Sequence, residues 1–312
     1  MDGKNGTRVN YFILVGFPGL QSLHNVLFIL FLAIYLFTLS ANVLIITAVK
    51  FDRSLHTPMY FFICNISVLE IWYTTTFIPK MLSDLAMQDQ SFGVSSCIAQ
   101  FYILFVLAST ENFLLSSMSY DRYVAICIPL QYAIIMNRWT CIYLALGSWI
   151  TGFLAPLVPA VLISRLHFCG PQHIDHFYCD FAPLISLSCT DIFPVEFTFF
   201  LLAWIIILTC CLFTLLSYVN IITAILGIPS SIGRMKSFST CASHLTVVSI
   251  YYGAVIFMYV RSKARARFEH DKVIAIFYSF VTPVLNPIIY SLRNNQVKMS
   301  LKKAVTRMRR DL

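Results

Sequence analysis

Glu70 and Glu111 stand out first in this 312-residue chain, because each lies deep within a long apolar run where an ionisable group is costly. Glu70 follows Pro58 by 12 residues and Glu111 precedes Arg122 by 11, so at about 1.5 Å per helical residue the two reach similar depth in successive spans. Asn42 and Asn286 enter comparable levels from two further runs. Two carboxylates so close cannot both stay ionised without a counter-charge, and no Lys or Arg sits at that depth. Their chemistry is therefore a shared proton or a shared small cation such as sodium, with a structural hydrogen-bond network as the plainer alternative. No other cofactor is called for.

Asp121-Arg122-Tyr123 closes the third apolar run, where a charge pair can lock a helix end until a partner meets it. In Asn286-Pro287-Ile288-Ile289-Tyr290 the proline removes a backbone hydrogen bond and permits a kink. Ten cysteines are present. By parity of the apolar runs Cys97, Cys169, Cys179 and Cys189 share one face of a membrane, which suggests two disulfides with three possible connectivities. The other six, in or beside the apolar runs, read as small packing residues. Cys169, His173, His176 and Cys179 could alternatively bind zinc or copper, unless disulfides consume both thiols. His176 and Asp180 would then keep a weak metal contact that assists a sulfur-containing ligand. Enzyme signatures are absent: there is no phosphate loop, His-Glu-x-x-His, Gly-x-Gly-x-x-Gly or Gly-x-Ser-x-Gly.

The elements that must position these groups follow from composition. Hydrophobic residues make up 58% of the chain and charged residues 12%, about half the usual charged share of a soluble domain. Lipid is therefore the expected solvent, which excludes soluble enzyme folds, nucleic-acid modules and disordered tails. Seven runs meet the roughly 20-residue length of a spanning helix: Val26 to Val49, Pro58 to Leu82, Cys97 to Tyr120, Trp139 to Ile163, Val195 to Leu226, Leu245 to Val260 and Val273 to Leu292. The sixth is the weakest, broken on its inner side by His244 and the polar residues from Lys236. Strand-spanning barrels would show alternation instead. The expected fold is an all-α membrane protein, a seven-helix bundle with a short amphipathic C-terminal helix. Residues 1–25 form an extracellular N-terminus, 26–292 the bundle, and 293–312 a cytoplasmic helix and tail. Of the net charge of +8, seven basic residues fall between Arg293 and Arg310, a pattern suited to an anionic lipid surface rather than nucleic acid. The apolar run Phe12 to Phe17 is too short for a signal peptide. With the N-terminus outside, 13 Lys and Arg lie inside and 9 outside, a weak inside bias. The sequon Asn5-Gly6-Thr7 supports the same orientation, with Asn5 as the glycosylation site.

Five stretches in order resemble the olfactory receptors, within the rhodopsin-like G-protein-coupled receptors, and the outer loop resembles the tetrapod-type class. They are Leu55-His56-Thr57-Pro58-Met59-Tyr60-Phe61-Phe62; Met118 to Cys127, around Asp121-Arg122-Tyr123; Ser217-Tyr218; Lys236 to His244; and Pro283 to Tyr290. Departures are small: Glu70 stands where most members have Asp, and Ser119 and Ser237 where Ala is common. The resemblance implies disulfides Cys97 to Cys179 and Cys169 to Cys189. It implies a switch and G-protein surface using Asp121, Arg122, Tyr123, Tyr218, Lys236, His244, Asn286, Pro287 and Tyr290. On the third span Leu104, Phe105, Ala108, Ser109 and Asn112 share one face by spacing. The resemblance sets that face against Leu202, Ala203 and Ile206, against Tyr252, Val255, Ile256 and Tyr259, and against Ile276 and Ser279. Such a lining suits a hydrophobic odorant with one hydrogen-bonding group. Tyr252 would face it and reach toward span three through its hydroxyl. The implied partner is the stimulatory olfactory G protein, which raises cyclic AMP, at the plasma membrane of olfactory neuron cilia. A channel or transporter using Glu70 and Glu111 as an ion path is the alternative from another class.

Overall fold

The computed structural model describes residues 9–17, 19–87, 90–169, 172–261, 275–292 and 299, excluding among others the side chains of Lys236 and residues 256–261. Asn5 and the expected amphipathic tail helix lie outside the described residues. Ten α-helices are described: α1 His24–Phe51, α2 Pro58–Met87, α3 Val94–Cys127, α4 Tyr132–Ile135, α5 Arg138–Leu154, α6 Leu157–Ser164, α7 Phe181–Ile185, α8 Phe193–Leu226, α9 Ser231–Arg261 and α10 Thr282–Leu292, the last preceded by a π-helical turn at Phe277–Val281. Among the described residues five helices are long and apolar enough to span, counting α5 and α6 together, and Cys241–Val255 and Ser279–Tyr290 add two shorter apolar stretches. These seven follow the expected order.

The exposed faces say why lipid is required. On α8 Leu201, Ile205, Leu208, Leu212, Leu215 and Val219 recur every three or four residues and are exposed, while Phe199, Cys210, Thr214, Tyr218, Ile221 and Ile225 are buried. An apolar stripe of that length facing outward is stable against hydrocarbon, not water.

Three boundaries correct the sequence reading. Span six does not begin at Leu245: α9 starts at Ser231, capped by the Ser230 hydroxyl, which accepts from Gly233 N at 3.3 Å. Its polar first turns are helix that hydropathy cannot recognise, because capping, not apolarity, starts it. Span four is two helices, broken at residues 155–156. Pro156 lacks the N–H that would bond the Gly152 carbonyl and continue α5, and the Phe153 carbonyl next to it accepts from the Tyr102 hydroxyl at 3.0 Å. The segment expected as one long loop from Ser164 to Phe193 contains a strand and α7.

The chain divides into two compact units. The first comprises Met1–Tyr35, Trp72–Ser109 and Thr151–Ile206. It contains a three-stranded sheet in which β1 (Tyr11–Leu14) lies between antiparallel β2 (Ser91–Gly93) and parallel β3 (His173–Ile174). Phe12 and Leu14 alternate inward and are fully buried, so the short apolar run near the N-terminus is a paired strand. The second unit comprises Leu36–Ile71, Thr110–Ile150 and Ile207–Leu312. Within it Asn137 caps α5 by accepting from Trp139 N and Thr140 N at 2.9 and 3.0 Å. Tyr218, Ile221, Ile225 and Cys241 pack there as a core against Tyr123, Ile126, Cys127 and Leu245.

Candidate functional site

The polar groups of the second unit gather in three places. At the first, Asn286 on α10 donates to the Glu70 carboxylate of α2 at 2.5 Å, with Asn42 of α1 beside the same carboxylate. Glu111 on α3 is close enough to Glu70 to interact with it electrostatically, and its Oε1 is buried without a hydrogen bond. The two carboxylates expected at similar depth lie within electrostatic reach of each other, with Asn286 and Asn42 brought in from two other helices. The cluster is a compact set of oxygen donors with no Lys or Arg in hydrogen-bond contact among the described residues.

The second place is the end of α3. Arg122 bonds the Asp121 carboxylate through both its Nε and a terminal nitrogen, and Tyr132 of α4 donates to the other Asp121 oxygen at 2.8 Å. Asp121 is fully buried, so each of its oxygens must be satisfied by such a partner. Burial and then the adjacent Asp121 carboxylate push the Tyr132 phenol above the ordinary tyrosine value, which keeps it a donor. Tyr132 was missed in the sequence because it lies beyond the charged triplet, on a four-residue helix that only its contacts reveal. Near this end the Tyr218 hydroxyl and His244 Nδ1 are 2.7 Å apart, joining α8 to α9, and His244 is fully buried. The histidine expected to break span six therefore holds it. Tyr290 and Asn286 are buried, and Pro287 lies within α10. The Lys236 side chain lies outside the described residues. Ser119, where the family commonly has Ala, turns its hydroxyl back onto the Leu115 carbonyl at 3.1 Å and leaves no donor unsatisfied.

The third place lies between α3 and α9. The Tyr251 hydroxyl accepts from Asn112 Nδ2 of α3 at 2.5 Å. The Tyr252 hydroxyl is buried beside the hydroxyls of Ser116 on α3 and Thr214 on α8. Tyr252, Val255, Ser279 and Asn112 are buried and Ile276 half-buried in this unit; the side chains of Ile256 and Tyr259 lie outside the described residues.

The remaining expected ligand contacts belong to the first unit. Leu104 is buried, and Phe105, Ala108, Ser109, Leu202, Ala203 and Ile206 are half-buried. Phe105 packs edge-on to Phe199 at 4.9 Å between ring centroids, and Phe199 stacks on Phe181 of α7 at 3.7 Å. Phe181 and Phe199 escaped the sequence reading because neither shares a helical stripe with Phe105.

Two disulfides bind this unit, Cys97 to Cys179 and Cys169 to Cys189, with Cα atoms 5.4 and 5.9 Å apart. Both thiols of the alternative metal site are thereby consumed. His176 is buried between Phe177 and Tyr178, with Nδ1 accepting from Tyr178 N at 3.3 Å, and Asp180 caps α7 through Phe181 N. Gln100, not singled out in the sequence, accepts from Cys179 N at 2.9 Å and donates to the Thr76 carbonyl at 3.0 Å, one turn before Pro79.

Long apolar helices with lipid-suited faces around a buried polar centre define a membrane protein. The chain belongs to the olfactory receptor family: the family profile described as olfactory receptor matches residues 31–308. It is 50% identical over 303 residues to Olfactory receptor 6F1 of Homo sapiens, covering 97% of this chain and 98% of that one. It is likewise 50% identical to Olfactory receptor 287 of Rattus norvegicus, covering 97% of each, and 48% identical to human Olfactory receptor 6A2, covering 96% and 94%. Members are odorant-sensing G-protein-coupled receptors, not enzymes.

Proposed function

We propose that this receptor binds a small hydrophobic volatile bearing one hydrogen-bonding group and activates a stimulatory, olfactory-type G protein that raises cyclic AMP. Family membership across nearly the whole chain supports the general activity. The observation that carries the finer reading is the state of Arg122, held on a fully buried Asp121 whose other oxygen is held by Tyr132. Such an end is closed until a competing partner is offered. Agonist binding shifts the population toward a state in which the Ser231 end of α9 moves outward, Arg122 leaves Asp121, and the G protein enters. The expected ligand contacts include hydroxyls and an amide but no charge, which favours an uncharged ligand. The site of action is the plasma membrane of olfactory cilia, with the N-terminus extracellular and Asn5 glycosylated. The buried oxygens of Glu70 and Glu111 fit a shared proton or a sodium ion, since Glu111 Oε1 has no hydrogen-bond donor among the described residues. A broad panel of volatiles, read by a cyclic AMP reporter in cells expressing the chain, tests the proposal: responses that vanish in Arg122→Ala at matched surface expression support it. Ligand-evoked ionic current without cyclic AMP would overturn it.

A further inference from the structure

Three donors converge on the Leu115 carbonyl of α3. Helical bonding aims the Ser119 N–H at it, four residues on. The Ser119 hydroxyl donates to the same oxygen at 3.1 Å. The carbonyl is also the acceptor on α3 that His244 of α9 reaches, through the ring nitrogen not engaged with Tyr218. A carbonyl oxygen has two lone pairs, and Ser119 and His244 are fully buried, so no solvent relieves the competition. Its outcome is visible at His244: Nε2 stands beside the carbonyl short of a full hydrogen bond, whereas Nδ1 keeps its 2.7 Å contact with Tyr218 of α8. The Ser119 hydroxyl has a second acceptor in Thr214 Oγ1 of α8 at 3.4 Å, and the shorter distance to Leu115 marks the one it favours.

We propose that Ser119 is a positioning residue for α9: by holding the Leu115 carbonyl it weakens the tie of His244 to α3 and so lowers the cost of releasing α9. This rests on the reading that outward movement of α9 admits the G protein. His244 ties α9 to α8 through Tyr218 and to α3 through Leu115, and Ser119 dilutes the second tie alone. The hydroxyl acts again once α9 moves. With His244 gone, it keeps the buried carbonyl satisfied, so release strands no acceptor. With Ala at this position, the same movement breaks a stronger bond and leaves the oxygen one donor short.

The experiment compares ligand-free and volatile-evoked cyclic AMP in wild type, Ser119→Ala, His244→Phe and the double variant, all at matched surface expression. Ser119→Ala is expected to lower ligand-free output, and to raise the concentration of volatile needed for half response, each roughly three- to tenfold, the worth of one neutral hydrogen bond. On the His244→Phe background the same change should do nothing further. Output that is unchanged or raised in Ser119→Ala overturns the proposal. An equal effect with and without His244 overturns it too, because the hydroxyl would then act by bending α3 alone. A second measurement needs neither ligand nor G protein: the imidazole N–H proton of His244 in the purified, nitrogen-15-labelled chain, assigned by its absence from His244→Phe. Ser119→Ala should move that proton downfield as its bond to Leu115 strengthens, and an unmoved signal overturns the positioning role. A moved signal in a chain that answers no volatile supports the positioning role and refutes the receptor reading alone.

Discussion

Tyr132 completes the Asp121 centre that the charged triplet begins, because a buried carboxylate needs donors on both oxygens. Replacing Tyr132 with Phe is expected to loosen Arg122 and raise ligand-free signalling several-fold, measured as basal cyclic AMP at matched expression. The phenol's raised value fixes the sign of its pH dependence. Its bond to Asp121 is fully present below the unfolded tyrosine value, near pH 10, and is lost only as pH rises through the higher folded value. Basal signalling should therefore show no titration from Tyr132 between pH 6 and 9. At the acidic pair, Glu70→Gln and Glu111→Gln should each shift basal signalling, with a double variant far from additive, since one proton or ion serves both groups. Additive effects on a correctly trafficked receptor would separate the two residues.

Helix ends and breaks follow local rules that hydropathy does not see. Ser230 starts α9 fourteen residues before the apolar run at Leu245, and the polar turns between them are held by contacts such as His244 with Tyr218. Ser230→Ala should weaken that start by about 1 kcal/mol. Faster amide exchange at residues 233 and 234, with no change near Tyr251, is the expected reading. Gln100 joins α3 to the Thr76 carbonyl of α2 and to Cys179 N, so Gln100→Leu leaves the buried Cys179 N–H without its acceptor and takes one donor from the half-buried Thr76 carbonyl. That change should cost about 1–3 kcal/mol, the desolvation of one buried donor, and lower the unfolding midpoint of the purified receptor. The break between α5 and α6 at Pro156 lies inside the run expected as one span, because an apolar count does not register a missing N–H.

For the molecule as a whole, the two disulfides should differ in worth. Cys97 to Cys179 closes 82 residues and Cys169 to Cys189 closes 20, so chain entropy assigns about 4 and about 3 kcal/mol respectively as upper figures. Thermal unfolding of paired Ala variants should rank them in that order; equal losses would show that the unfolded chain retains structure in the membrane. Composition alone determined that the chain lives in lipid, because 12% charged residues cannot cover a soluble surface, and the spacing of apolar runs determined how many helices cross it. Short motifs located Glu70, Glu111, Asp121 and Arg122, since an ionisable group in hydrocarbon announces itself by its cost. What the tertiary structure alone decided is which neighbour satisfies each group: Tyr132 for Asp121, Asn286 for Glu70, and Tyr251 for Asn112. Helical periodicity gives the direction of a side chain only to within a fraction of a turn. A hydrogen bond depends on tenths of an ångström between residues as far as 216 apart in sequence, a precision that packing sets.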